Sequence, residues 1–124
     1  MSARWVVDGL NVIGSRPDGW WRDRSGAMRD LARRLDELAA RTGDEVTVVF
    51  DGKPFDLDAE HARVLFASRR GPNAADDDIA RLVAEDDDPG SLRVVTSDSD
   101  LAGRVRAGGA EVVPAGGFRR DLGD

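Results

Sequence analysis

Carboxylates at the ends of short apolar runs are the residues of this chain whose type and spacing promise chemistry. Arg4-Trp5-Val6-Val7 runs into Asp8-Gly9-Leu10-Asn11, Val46-Thr47-Val48-Val49-Phe50 into Asp51-Gly52, and Leu92-Arg93-Val94-Val95-Thr96-Ser97 into Asp98-Ser99-Asp100. Another cluster, Asp76-Asp77-Asp78, opens a stretch with helical apolar spacing. If the three runs are parallel strands, Asp8, Asp51 and Asp98 reach one sheet edge, the edge at which open α/β sheets bind ligands. Asp76 joins them if the strand before it ends there too. Carboxylates crowded together repel, and some are forced to protonate. A hard divalent cation removes that cost, and Mg²⁺ suits, since it binds through a few carboxylates and keeps several waters. The chemistry then open is metal-assisted attack of water on a phosphodiester. An aspartyl-phosphate phosphotransferase would want Asp-x-Asp at the first strand, and position 10 is Leu10.

Each acid also has a plain structural use. Asp8-Gly9 and Asp51-Gly52 are turn dipeptides. Asp76 stands where an acid in the first turn meets the helix dipole, and Asp77 is four residues from Arg81 on the same helix. Asp98 and Asp100 stand at the start of the next helix. Asp86-Asp87-Asp88 run into Pro89-Gly90 and read as a solvated turn. The arrangement taken jointly, rather than any single acid, points to a site.

The elements that must position these acids follow from periodicity. Residues 4–8, 46–50, 61–67, 92–96 and 110–113 read as strands, three of them continuous apolar runs. From 25 to 41, Met28, Leu31, Ala32, Leu35, Leu38 and Ala39 form one apolar stripe of a helix that Gly43 closes. Asn73 reads as the N-cap of a second helix, with Asp76 as a variant capping box and a stripe of Ala75, Ile79, Leu82 and Val83. Leu101, Ala102 and Val105 mark a short helix closed by Gly108-Gly109. Residues 14–24 and 52–60 read as loops, and residues 114–124 as a Gly-rich tail without assigned structure. Strands alternating with helices predict an α/β fold: three α/β/α layers around a mostly parallel sheet of about five strands.

Composition bounds the rest. A chain of 124 residues predicts one domain over 1–124. There is no cysteine and one histidine, His61, which excludes disulfides, thiol chemistry and multi-His metal sites and leaves His61 a structural role. No apolar run approaches the roughly 20 residues a membrane span needs. A strand begins within a few residues of the N-terminus, so the expectation is no signal peptide and a cytoplasmic protein. Neither GxGxxG nor GxxxxGK[ST] occurs. A net charge of −6 does not by itself announce a nucleic-acid binder.

Val7-Asp8-Gly9-Leu10-Asn11-Val12-Ile13, Val49-Phe50-Asp51-Gly52, Ala75-Asp76-Asp77-Asp78-Ile79 and Val95-Thr96-Ser97-Asp98-Ser99-Asp100-Leu101 together resemble the motifs of NYN domains, those of the YacP-like branch most. NYN domains belong to the PIN-like superfamily, and the resemblance runs from about Arg4 to Val113 in the family's order. It implies a parallel sheet flanked by helices and Mg²⁺- or Mn²⁺-dependent cleavage of RNA. Carried over, Asp8, Asp76 and Asp98 match the core metal-site acids, Asp100 an accessory acid, Asn11 the polar residue after the first acid, and Asp51 the acid after the second strand. The chain departs by being short at its C-terminus, where relatives often add a helix.

For RNA, Lys53, Arg69 and Arg70 are the candidate phosphate contacts, because they fall in loops expected to open near the acidic edge. Trp20 and Trp21 are read as packing over the first long helix rather than stacking on bases. RNA is the implied substrate, with a weak homodimer or an RNA-processing partner as further associations. The rival reading is a non-catalytic RNA-binding module with a vestigial metal site. Its support is the acidic balance and the lack of a long basic arm.

Overall fold

Five strands form one sheet in the computed structural model, which describes residues 2–123. They are β1 (Arg4–Asp8), β2 (Glu45–Phe50), β3 (Arg63–Phe66), β4 (Leu92–Val95) and β5 (Glu111–Val113), all parallel, in the order β3-β2-β1-β4-β5. The helices are α1 (Gly9–Ile13), α2 (Arg24–Thr42), α3 (Ala74–Glu85), α4 (Ser99–Ala107) and α5 (Ala115–Asp121), with 3-10 turns at Trp20–Asp23 and Pro89–Ser91.

Alternation along the strands sorts the layers, because successive side chains leave a strand on opposite faces. Val7, Val48, Phe50 and Val95 join Val12 of α1, Leu31 and Leu35 of α2 and Phe118 of α5. Val6, Val49 and Val94 join Ile79 and Val83 of α3 with Leu101 and Val105 of α4. Both faces are thus covered, which is why the strand interiors are mostly apolar. From β1 the chain moves outward through β2 to β3, then returns to place β4 and β5 on the other side. The order reverses between β1 and β4, and the crevice at that switch point opens at the carboxyl ends of the strands.

Local expectations needed correction in several places. Asp8-Gly9 is not a loop turn: α1 starts directly after β1. A Cβ on Gly9 would lie 2.4 Å from the ring carbons of Phe50, so only glycine passes this junction. The third strand is Arg63–Phe66 rather than 61–67, and the His61 side chain is exposed while Asp36 accepts from its backbone N–H. The tail is helical. Phe118 sinks into the core against Trp5, with ring centroids 5.2 Å apart, and this burial outweighs the helix cost of Gly116 and Gly117. The tryptophan pair divides: Trp20 packs against the α1–α2 side of the core, whereas Trp21 is 56% exposed.

Two acidic runs also behave differently from expectation. Asp86 is not a solvated turn residue. Its carboxylate takes Arg4 Nη2 at 2.6 Å and Nη1 at 3.1 Å, tying the end of α3 to the start of β1. Asp77 pairs with Arg69 and Arg104 rather than Arg81, which reaches Asp78 instead. No helix among the described residues is long and apolar enough to cross a membrane.

Candidate functional site

The register of β1 and β4 sets the centre of the acidic edge. Val7 pairs with Val95, so Asp8 and Thr96 follow side by side. Thr96, 1% exposed, donates its hydroxyl to Asp8 Oδ2 at 2.9 Å and accepts from the Asp98 backbone N–H at 3.1 Å. One buried hydroxyl therefore links the acid that ends β1 to the acid that caps α4. Asp98 Oδ1 accepts from Leu101 N–H at 3.0 Å, so its helix-capping use is real.

Asp51, just past β2, reaches the same edge and does the work expected of Asn73. Its Oδ1 accepts from Ala75 N–H at 2.8 Å, at the start of α3. Asn73 itself has φ 60° and makes no side-chain cap. Because β3 runs parallel to β2, α3 starts at the acidic edge and brings Asp76 there. The Asp76 carboxylate is half-buried and accepts no hydrogen bond from any described residue.

Electrostatics show that the four acids share one field. Asp8 is 5% exposed. Its pKa rises from 3.8 to about 7, chiefly through burial; the Thr96 bond opposes this, and the charges of Asp76, Asp51 and Asp98 add to it. Asp76 is also raised, first by burial and then by Asp98 and Asp51, with Arg104 pulling the other way. Asp100 is exposed and lies farther out, lining an open hollow of about 530 Å³ with Asp76, Asp77, Arg69 and Arg104.

Of the other candidates, Asn11 does not touch Asp8 by hydrogen bond. Its Oδ1 accepts from Ser97 N–H at 2.8 Å, which pins the turn carrying Asp98. Lys53 is exposed on a separate groove whose wall includes Asp51. Arg69 is neutralised by Asp77, and Arg70 is exposed in the same turn, its carbonyl accepting from Arg69. Thr96 and Arg104 escaped the sequence reading. A polar residue closing an otherwise apolar strand two positions before an acid was the available signal for Thr96; Arg104 had none, since only the packing of α4 beside α3 brings it to Asp77.

Among the described residues, no group of three or more His, Asp or Glu side chains is arranged as a ready-made metal cage. The donor set nevertheless consists of hard oxygen ligands whose mutual repulsion a cation would relieve.

A parallel sheet covered on both faces, with acids gathered at its switch point, is the architecture of PIN-like nuclease domains. The chain belongs to the YacP-like NYN domain family, whose model matches residues 5–124. Members of that family are typically nucleases acting on RNA. The chain is similar to Rae1 (YacP) from Bacillus subtilis, at 26% identity and a TM-score of 0.79, covering 99% of this chain and 74% of that one. A tryptophan-to-leucine mutant of the same Bacillus subtilis protein gives 25% identity and a TM-score of 0.81, covering 98% and 75%. A comparison with curated proteins gives no match.

Proposed function

We propose that this domain is a divalent-metal-dependent ribonuclease that hydrolyses RNA phosphodiester bonds at the Asp8 edge of the sheet. The observation that carries the reading is the state of Asp8. It is almost fully buried, hydrogen-bonded to Thr96 and pushed to about 7 by burial and by acids from three other parts of the chain. A fold that keeps four carboxylates in one field stores repulsion, and a bound cation relieves it.

Asp8, Asp76 and Asp98 would hold Mg²⁺ or Mn²⁺, with Asp51 and Asp100 completing its surroundings. A Mg²⁺ ion held by one or two carboxylates and its own waters needs no closed protein cage. When bound, such an ion supplies Lewis acidity toward the phosphodiester and the attacking water. The chain's own residues do the rest. Thr96 fixes the Asp8 carboxylate and the Asp98 backbone, Asn11 holds the Ser97 turn, and Asp51 anchors the start of α3 beside Asp76. Arg69 and Arg104, held by Asp77 at the outer hollow, would meet substrate phosphates there, with exposed Arg70 in the same turn as Arg69 and Lys53 on the groove that Asp51 lines.

Incubation of purified protein with labelled single-stranded and structured RNA, with Mn²⁺ or with chelator, tests the reading. Cleavage should require metal and fall on the order of a hundredfold in Asp8→Asn, Asp76→Asn or Asp98→Asn, with the triple variant little worse than the worst single. Undiminished cleavage by folded Asp8→Asn protein would overturn it.

A further inference from the structure

The acidic edge has a second approach, separate from the hollow that holds Arg69 and Arg104. An open groove of about 510 Å³ runs between the start of α2 and the loop after β2. Arg22, Arg24 and Lys53 line it, and Asp51 forms its inner wall. Asp51 also accepts from Ala75 N–H at 2.8 Å, beside Asp76, so this lining residue joins the groove to the acidic edge.

Three features mark this groove. Its cations are unspent. Arg4, Arg33 and Arg69 are each neutralised by carboxylates, whereas the side chains of Arg22, Arg24 and Lys53 form no hydrogen bond or ion pair among the described residues. The carboxylates nearest them are already engaged: Asp23 accepts from Gly26 N–H and Asp51 from Ala75 N–H. Gly52 makes the turn. Its φ of +105° is a backbone conformation that L side chains rarely adopt, and it turns the chain between Asp51 and Lys53 at the groove.

The third feature is Trp21. The 3-10 turn that supplies Arg22 also carries this ring, 56% exposed, while Trp20 beside it packs into the core. The two rings meet edge-on at 6.1 Å and 86°, and Trp21 directly precedes the groove-lining Arg22. Cations that follow a backbone beside an exposed aromatic face form the pattern that grips unpaired nucleic-acid strands without reading sequence.

We infer that this groove binds the single-stranded RNA segment leading to the acidic centre: Arg22, Arg24 and Lys53 take successive phosphates, and Trp21 stacks on an unpaired base. The inference deepens the ribonuclease reading and rests on it for the choice of RNA. It names a binding role for Arg22, Arg24 and Trp21 and requires the strand to be unpaired there.

Binding of a fluorescently labelled, unstructured RNA oligonucleotide by the purified protein in chelator tests it, read by anisotropy over a salt series. Arg22→Ala/Arg24→Ala should weaken binding about tenfold and reduce the slope of log K against log salt by about 1.4, at about 0.7 for each of the single-strand phosphates set free. Trp21→Ala should weaken binding about fivefold or more with the slope unchanged, because stacking releases no counterions. Arg41→Ala/Arg106→Ala, which removes exposed charges at the carboxyl ends of α2 and α4, should change neither quantity. A fully paired RNA of equal length should bind more weakly and ignore Trp21→Ala. Variants whose unfolding midpoint matches the parent's are compared. Parental affinity and slope in the arginine double variant, equal losses in the Arg41/Arg106 control, or duplex binding that matches single-strand binding would each overturn the groove. Metal-dependent cleavage is scored separately. If no protein cleaves but the binding pattern holds, the ribonuclease reading fails and the groove stands; if the parent cleaves and the pattern is absent, the groove alone fails.

Discussion

Replacing Asp8 by Asn should make the metal-free protein more stable in alkali while disabling its chemistry. In the folded protein the Asp8 carboxyl is raised from 3.8 to about 7, so between these values the folded state holds a proton that the unfolded chain has released. Stability must then fall as pH rises through that window. A full shift of about 3 units is worth about 4 kcal/mol at most, at 1.36 kcal/mol per unit. Between about pH 5 and pH 8.5 the linkage relation leaves about 2 to 3 kcal/mol of it. Asp76, raised in the same direction, adds to the trend. Asp30, Asp36, Asp44, Asp77 and Asp86 are lowered, so they are ionised in both states across this window and contribute a flat background. Asn resembles the protonated carboxyl and keeps an oxygen for the Thr96 hydroxyl. Urea unfolding in chelator at both pH values measures the effect. The variant should already be the more stable by about 1–2 kcal/mol at the lower pH, where the unfolded parent has released its proton, and by about 4 kcal/mol at the higher. Millimolar Mn²⁺ should then restore the parent by about 2 to 3 kcal/mol if it reaches a hundred times its dissociation constant, and leave the variant unmoved. Parallel pH curves for the two proteins would refute the reasoning, because they would mean that Asp8 ionises in the fold as easily as in water.

Three further outcomes test the frame that carries the site. Gly9→Ala places a Cβ against the fully buried Phe50 ring and should cost about 1–3 kcal/mol in urea unfolding, with weaker metal stabilisation because the turn after Asp8 must shift. Phe118→Ala should cost about 3–5 kcal/mol, measured the same way, since its ring fills the core against Trp5. Asp86→Asn should cost about 1 kcal/mol at neutral pH by weakening the pair with Arg4. Its folded pKa is depressed, so the difference from the parent should vanish as the solution is acidified below the ordinary carboxylate range, while cleavage at neutral pH stays intact.

Much of the positioning was legible because it is local. A carboxylate after an apolar strand lands at the strand's carboxyl end whatever the strand packs against, so Asp8, Asp51 and Asp98 were assigned to one edge once the strands were taken as parallel. The stripe Met28, Leu31, Ala32, Leu35 announced α2 because a 3.6-residue period needs only its own sequence to be read. The alternation of strands and helices limited the fold to a covered parallel sheet. Asp76 stayed conditional on the direction of the third strand, and it was the parallel pairing of β3 with β2 that carried it to the same edge.

Contacts between distant segments were decided by the tertiary structure alone. Thr96 reaches Asp8 across 88 residues, Asn11 reaches Ser97 across 86, and Arg4 reaches Asp86 across 82. No local pattern encodes such partners, because each side chain would be equally at home in water until the sheet register brings its partner alongside. The same holds for the tail: Gly116 and Gly117 argue against a helix on propensity, and only the pocket that receives Phe118 overrides them. The division of Trp20 from Trp21 follows the same rule, since identical neighbouring residues differ only in which one the core beneath them can accept.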